Sequence, residues 1–172
     1  IASQHPPDCR YIAACAYLLH SAKGRILNEV HAYLGIAVLV ANAVAAATGA
    51  LTWFARRPGV LFWPLLRVAQ ATVALQALLG MVLLAQGHRP ADDLHVLYGI
   101  AALVVNLVAE GMRAGVAQRE LAELGDEFVL DDLPEDEQLA LARRIARGEL
   151  GVMTIATLLV LTLALRAWQT GG

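Results

Sequence analysis

Apolar residues are concentrated in four long stretches of the chain, which are separated by two short polar segments and one long charged segment. The stretches cover residues 30–54, 60–85, 94–112 and 150–168. The hydrocarbon core of a bilayer is about 30 Å thick, and a helix needs roughly 20 apolar residues to cross it. The pattern therefore predicts an all-α integral membrane protein with four transmembrane helices.

The segments between these helices contain residues that typically end or begin helices. ARRPG at 55–59 and QGHRPADD at 86–93 indicate polar turns. In the longer segment 113–148, Pro134 precedes a group of acids and arginines follow them, an order that suits the helix dipole. We expect an amphipathic helix at the cytoplasmic surface within this loop.

The N-terminal residues are not expected to form a fifth span, because the apolar run at 12–19 is too short to cross a membrane. Residues 1–27 are predicted to form a tail or an interfacial segment, and residues 28–172 to form the four-span domain. An alternative is that translation starts at Leu27, which would place residues 1–26 outside the native protein.

Basic residues are unevenly distributed between the two ends of the predicted bundle. One end carries Arg56, Arg57, Arg113, Arg119, Arg143, Arg144 and Arg147. The other end carries Lys23, Arg25, Arg89 and Arg166. Because short loops rich in arginine and lysine stay in the cytoplasm, we predict an up-down-up-down bundle in a bacterial inner membrane, with both termini extracytoplasmic.

The composition supports a membrane location and argues against nucleic acid as a partner. Hydrophobic residues make up 58% of the chain and charged residues only 16%, whereas soluble domains carry about 25% charged residues. The mean hydropathy is +0.57. The formal net charge of −2 lacks the basic excess that is typical of nucleic-acid-binding proteins. The lipid bilayer is therefore the expected partner.

The first and third predicted helices begin with related sequences, HAYLGIAVLVAN at 31–42 and HVLYGIAALVVN at 95–106. Since each residue of an α-helix turns about 100°, positions i, i+4, i+7 and i+11 lie on one face. The two stripes that this spacing defines contain His31, Gly35 and Asn42, and His95, Gly99 and Asn106. An asparagine facing lipid in mid-membrane is costly, so we predict that both stripes face the bundle interior, where the asparagines tie the helices together.

The two histidines are placed so that they could share one metal-centred group. In an up-down-up-down bundle the first and third helices are parallel and diagonal, which puts His31 and His95 at the same depth near the outer surface. Diagonal axes lie about 11–14 Å apart, a distance that two imidazoles can span through metal–nitrogen bonds of ~2 Å. Gly35 and Gly99, one turn further along, would leave room for a flat macrocycle. The residues therefore favour a haem with two axial histidines.

On these residues the chain resembles four-helix membrane b-type cytochromes and each half of haem A synthase, which hold haem between histidines on alternate helices of a four-helix bundle. The resemblance covers the helical core and depends on His31, His95, Gly35 and Gly99. It implies a haem b cofactor and a small protein or subunit that passes electrons near the outer membrane face. Many such cytochromes have four intramembrane ligands and two haems, whereas two well-placed histidines imply one haem at most.

Two other functions are consistent with the same positions. The histidines, glycines and asparagines can serve helix packing alone, and the chain would then be a cofactor-free structural or assembly subunit of a respiratory-type membrane complex. Alternatively, His88, Asp92 and His95 could bind zinc or a similar ion at the outer surface. That site would make an enzyme conceivable, such as a metal-dependent hydrolase at the lipid interface, although the sequence has no recognisable pairing of a nucleophile with a base.

Further polar residues lie within the second and third helices. Arg67 is expected to extend its long side chain to the cytoplasmic surface, and the alternative is an ion pair with Glu110 inside the bundle. Gln70 and Gln76 are expected to form hydrogen bonds between helices.

Overall fold

The computed structural model describes residues 9–57, 59–123 and 133–171, with side chains from residue 22 onward, and this part of the chain forms four α-helices. They are α1 (Cys9–Ala55), α2 (Phe62–Ala85), α3 (Leu94–Ala122) and α4 (Glu135–Thr170). All four are long and apolar enough to span a membrane. The prediction of an all-helical chain with four candidate membrane-spanning helices is confirmed.

The first helix extends well beyond the apolar stretch that predicts it. α1 contains 47 residues, which corresponds to about 70 Å at 1.5 Å per residue, and its candidate span covers Ala22–Ala55. The segment expected to be a tail or interfacial segment is therefore helical from Cys9 onward and continuous with the first span, whereas residues 1–8 lie outside the described residues. Hydropathy marks where a helix is long and apolar enough to cross a membrane, and it does not show that the short apolar run at 12–19 belongs to the same helix as the first span.

The charged segment 113–148 is also largely helical. α3 continues to Ala122, and the predicted amphipathic helix forms the N-terminal part of α4 without a break. Three acids occupy the first turn of α4, where carboxylates complement the positive end of the helix dipole. The middle of the predicted cytoplasmic loop, at 124–132, lies outside the described residues.

The turn between α2 and α3 is set by two local motifs. α2 ends in a Schellman motif, in which the backbone N–H groups of Gly87 and His88 each donate to an α2 carbonyl at 3.0 Å. Gly87 has φ +86°, a left-handed conformation that glycine adopts without steric cost. Asp92 precedes the N-cap residue Asp93, and its Oδ1 accepts a hydrogen bond of 2.9 Å from the N–H of Leu94, the first residue of α3.

α4 contributes the most buried surface to the bundle. It packs against α1 and α3, α1 also packs against α2, and α2 and α3 touch more lightly. Of the most apolar part of α4, 39% is buried, compared with 17% for α2 and α3. Most apolar side chains of α2 and α3 therefore face outward, as expected of helices that meet lipid on several sides.

Two apolar clusters occupy the bundle interior. The cluster at the arginine-rich end consists of Phe62, Leu66, Ala109, Leu150, Met153 and Ala156. The second cluster consists of Val38, Val73, Ala102 and Val160. The buried polar residues are Asn42, Asn106, Thr154 and Thr157. Each helix supplies one residue to the second cluster, so all four helices meet at that level.

Candidate functional site

His31 of α1 and His95 of α3 lie in contact near one end of the bundle. Their ring centroids are 5.9 Å apart and the ring planes are inclined by 62°. Both residues are half-buried. α1 and α3 each have α2 and α4 as neighbours, so the two rings meet across the interior. The structure thus brings together the two histidines that the sequence singles out.

The ring of His95 is held by the last turns of α4. Its Nδ1 lies 2.8 Å from the carbonyl oxygen of Ala167, and because a carbonyl can only accept, Nδ1 carries the proton and donates. In a neutral ring Nε2 then keeps its lone pair. A β carbon at Gly171 would lie 2.9 Å from Nδ1, so the glycine permits the close approach of this backbone to the ring.

The ring of His31 is held by α2. Its Nε2 lies 3.2 Å from the amide nitrogen of Gln76, and a β carbon at Gly80 would lie 3.3 Å from its Cε1. Within the described residues, His31 Nδ1 and Gln76 Oε1 are buried and have no hydrogen-bond partner. Because an amide nitrogen can only donate, Nε2 accepts in this contact and the unpaired Nδ1 carries the proton of a neutral ring. Turning the Gln76 amide would present Oε1 to Nε2, place the proton on Nε2 and give Nδ1 a lone pair, which makes this ring a candidate ligand.

The two glycines of the stripes differ in their surroundings. A β carbon at Gly35 would lie 3.4 Å from the amide nitrogen of Gln76 and 3.6 Å from the Trp168 ring. At Gly99, no heavy atom of the described chain lies within 4 Å of the corresponding position. Gly35 therefore admits two neighbouring side chains, whereas no part of the described chain packs against Gly99.

Beyond the second apolar cluster, both stripes end in a buried asparagine. Asn42 is 1% exposed and Asn106 is 6% exposed. The Nδ2 of Asn42 donates to its own helix, at the Val38 carbonyl oxygen (2.9 Å). Neither amide atom of Asn106 has a hydrogen-bond partner among the described residues. Both asparagines face the interior, as the helical spacing predicts, but no hydrogen bond joins them within the described structure.

The residues of the alternative metal site have other contacts. His88 is exposed and packs against α1, where a β carbon at Gly24 would lie 2.9 Å from its Nε2. Asp92 uses Oδ1 to accept the hydrogen bond from the N–H of Leu94. Across residues 22–57, 59–123 and 133–171, whose side chains the structure describes, there is no group of three or more histidine, cysteine, aspartate or glutamate side chains that could hold a metal ion.

Arg67 and Glu110 form an ion pair at the arginine-rich end. Arg67 Nη1 lies 2.6 Å from Glu110 Oε1, and the Arg67 side chain is 53% exposed. Gln70 donates to the same carboxylate oxygen at 2.8 Å. The structure therefore shows the alternative expected from the sequence, an ion pair between Arg67 and Glu110. This pair links α2 to α3.

The pairing continues through Arg113 to α4. Arg113 Nε donates to Glu110 Oε2 at 2.9 Å, and Arg113 Nη1 lies 3.6 Å from Glu149 Oε2. The Arg113 guanidinium also lies 5.6 Å from the centre of the Trp63 ring, within cation–π range. Sequence reasoning missed this extension, although the i,i+3 spacing of Glu110 and Arg113 is a signal for their pairing.

No protein family, curated protein or solved structure matches this chain.

Proposed function

We propose that this chain is a small b-type haem protein, or a haem-binding subunit, which holds one haem between His31 and His95 and passes electrons near the outer membrane face. The observation that carries the proposal is the contact between the two imidazoles, with centroids 5.9 Å apart. The contact occurs among four helices that are each long and apolar enough to span a membrane.

The spacing of the rings supports a shared metal. Two imidazoles bound to one iron through bonds of ~2 Å have ring centres about 6 Å apart, close to the separation of 5.9 Å between these centroids. His31 and His95 would hold the group from two different helices, and the 62° between their ring planes is compatible with that role.

The hydrogen bonds of the two rings support ligation as well. Ala167 accepts the Nδ1–H of His95, which leaves the lone pair of Nε2 for a metal. With its amide turned to present Oε1, Gln76 would accept the Nε2–H of His31 and leave the lone pair of Nδ1 for a metal. Metal-binding histidines typically use their other nitrogen in this way, and the bond fixes the ring and strengthens the ligand. A metal bond would also satisfy the buried Nδ1 of His31.

A haem held by His31 and His95 would supply one-electron redox chemistry. The chain supplies the orientation of both ligands, from α2 through Gln76 and from α4 through Ala167. The layer of Val38, Val73, Ala102 and Val160 closes the interior beneath the pair. Electrons would therefore enter and leave at the histidine end, where other subunits of a membrane redox complex are the proposed partners.

An up-down-up-down arrangement in a bacterial inner membrane is part of the proposal. It is supported by contacts between opposite ends of neighbouring helices. Gly24 in α1 lies against His88 beyond the end of α2, and His95 at the start of α3 bonds Ala167 near the end of α4. The internal repeat is supported by the equivalent burial of Asn42 and Asn106. With the arginine-rich end in the cytoplasm, both termini and the histidine pair are extracytoplasmic.

The haem content of the purified protein tests the proposal. The protein is produced in cells well supplied with haem, and haem per chain is determined as the pyridine haemochrome for the wild type, His31→Ala, His95→Ala and His88→Ala. We expect about one haem per chain in the wild type and in the exposed control His88→Ala. We expect a large loss in the other two variants, with unchanged elution in size-exclusion chromatography. A haem-free wild type, or full haem content in His31→Ala and His95→Ala, contradicts the proposal.

A cofactor-free structural or assembly subunit is the second candidate, and one observation favours it. Gln76 and Trp168 pack into the space beside Gly35, as expected if the glycine serves close helix packing alone. A stable wild-type protein without haem would support this candidate. Elemental analysis of the same sample then tests zinc binding at His88, Asp92 and His95.

A further inference from the structure

A groove of about 460 Å³ lies at the arginine-rich end of the bundle, where the C-terminal part of α1 meets α3 and α4. It is remote from the histidine pair and plays no part in the proposed haem site. The residues that give the groove its character are Trp53, Glu120, Arg144, Arg147, Gly151 and Ile155.

One wall of the groove is apolar and its rim is basic. Trp53 packs against the core cluster of the arginine-rich end, and Ile155 is 51% exposed. Arg144 and Arg147 are exposed on α4. Among the described residues, a single acid, Glu120, lines the groove, and it lies 3.2 Å from Arg144. The rim is therefore positively charged beside a surface suited to hydrocarbon.

A glycine in α4 keeps the groove open. Gly151 is buried, and a β carbon there would lie 3.6 Å from the Trp53 ring, so that a larger side chain would extend into the groove. The other acid at this level of α4, Glu149, faces Arg113 at 3.6 Å and does not line the groove. Within the described part of the chain, one carboxylate therefore faces the two rim arginines in the groove.

The groove lies at the depth of a lipid headgroup. The rim arginines occupy the two turns of α4 that precede Leu150, where the apolar stretch of that helix begins. Trp53 lies in the last turn of α1, and tryptophan is enriched at the interface between headgroups and hydrocarbon. Two further exposed arginines, Arg56 and Arg57, follow α1 directly. Basic pockets between helices at this depth are suited to anionic lipid headgroups.

We propose that this groove binds one anionic phospholipid, with its phosphate at Arg144 and Arg147 and an acyl chain along Trp53 and Ile155. The charge of the rim selects an anionic headgroup, and the apolar wall requires a ligand that carries a hydrocarbon chain. Because arginine binds phosphate oxygens in a bidentate manner, the two rim arginines suit a phosphodiester. The site does not depend on haem binding at the other end of the bundle.

Quenching of Trp53 by brominated lipids tests the proposal. The chain has three tryptophans, and Trp63→Phe together with Trp168→Phe leaves Trp53 as the reporter. The full-length protein is placed in phosphatidylcholine vesicles that contain increasing fractions of brominated phosphatidylglycerol or brominated phosphatidylcholine. We expect phosphatidylglycerol to reach half-maximal quenching at an about tenfold lower fraction, since each basic residue near the surface favours anionic lipid. Equal quenching by the two lipids overturns the proposal.

Two double variants distinguish lipid binding in the groove from a general electrostatic attraction to the arginine-rich end. Arg144→Gln with Arg147→Gln should remove most of the preference for phosphatidylglycerol. Arg119→Gln with Arg143→Gln removes the same charge from exposed arginines outside the groove and should retain the preference. Equal losses in the two double variants would show a diffuse electrostatic effect and overturn the specific site.

Two further measurements test whether lipid binding depends on the shape of the groove and whether the wild-type protein, which keeps all its tryptophans, shows the same lipid preference. Gly151→Leu fills the groove and keeps both arginines, and should weaken phosphatidylglycerol binding severalfold. Native mass spectrometry of the wild-type protein, released from micelles with equal amounts of the two lipids, should show one retained phosphatidylglycerol. Retention of neither lipid, or of both equally, would contradict a specific anionic site.

Discussion

At the residue scale, the proposed site depends on side chains and carbonyls that fix the two imidazoles. Gln76 is the only side chain with a hydrogen bond to His31 in the described structure, at 3.2 Å, and the Ala167 carbonyl oxygen holds His95 at 2.8 Å. Fixing both rings before a ligand binds lowers the entropic cost of binding. Gln76 is therefore a positioning residue for the proposed haem.

Gln76→Leu tests this role. Leucine keeps a similar volume but cannot hydrogen-bond to His31, and the loss of such a partner typically lowers metal affinity about 10- to 100-fold. Titration of haem into the apoprotein, followed through the Soret band, measures the change. The matched control is Gln70→Leu, on the same helix, whose amide bonds Glu110 at the other end. Unchanged affinity in Gln76→Leu, or an equal loss in the control, would contradict a positioning role.

The sequence identifies the interior stripes but not everything that surrounds them. His31, Asn42 and their counterparts on α3 are recognisable because helical spacing alone places them on one face. The contacts from Trp168 and the Ala167 carbonyl depend on the rotation and depth of α4, which packing decides. The same limit explains why the sequence treats Gly35 and Gly99 alike, whereas only Gly35 has side chains packed against it.

At the scale of helices, Gly49 allows α1 to approach two neighbours at once. A β carbon at Gly49 would overlap Thr154 Oγ1 on α4 and lie 2.7 Å from Phe62 Cε2 on α2. Thr154 and Phe62 are among the most deeply buried residues of the described chain, so neither can move aside without disturbing the core. This contact sets how closely the three helices pack.

Gly49→Ala is therefore expected to destabilise the bundle despite the higher helix propensity of alanine. Overpacking of a core costs about 1–3 kcal/mol, and the melting temperature in detergent should fall accordingly. Gly111→Ala is the matched control, because no heavy atom of the described residues lies within 4 Å of its β-carbon position. A melting temperature for Gly49→Ala equal to or above that of the control would show that the helices are not packed as described.

Glu110 forms one ion pair with Arg67 on α2 and one with Arg113 on its own helix α3, and the two pairs should differ in strength. The Arg67 side chain is 53% exposed and that of Arg113 is 29% exposed, so solvent screens the Arg67 pair more strongly. Double-mutant cycles with alanine, read from the free energy of unfolding in detergent, should give about 0.5 kcal/mol for Arg67–Glu110 and about 1–2 kcal/mol for Arg113–Glu110. The reverse order would contradict the difference in exposure.

The helix boundaries show which part of the fold hydropathy can predict. The end of α2 at Ala85 and the start of α3 at Leu94 agree with the sequence, because glycine, proline and aspartate mark the turn between them. Hydropathy does not predict the extensions of α1 back to Cys9 and of α4 back to Glu135. The α4 extension is highly charged, and the apolar run at 12–19 in the α1 extension is too short to span and is separated from the first apolar stretch by polar residues.

At the scale of the whole molecule, the two ends of the bundle have different chemistry. The histidine pair lies at one end, and the ion-pair network of Glu110 and the basic groove lie at the other. Two apolar clusters, separated by a level of buried asparagines and threonines, connect them. Orientation in the membrane therefore decides which compartment each site faces.

Reporter fusions test the proposed orientation. Because the arginine-rich end is expected in the cytoplasm, alkaline phosphatase fused after residue 172 should be active and green fluorescent protein at the same position should be dark. Fusions after residue 123, at the end of α3, should give the opposite result. A fluorescent C-terminal fusion would place the histidine pair on the cytoplasmic side and contradict electron transfer at the outer face.

The visible spectrum of the purified wild-type protein, recorded oxidised and reduced, tests haem binding by the His31–His95 pair most directly. Ligation by two histidines predicts a sharp Soret band and split bands in the reduced state, and both features should disappear in His31→Ala and in His95→Ala. A colourless protein from cells well supplied with haem, or the same spectrum in both variants, would contradict a haem held between these two residues.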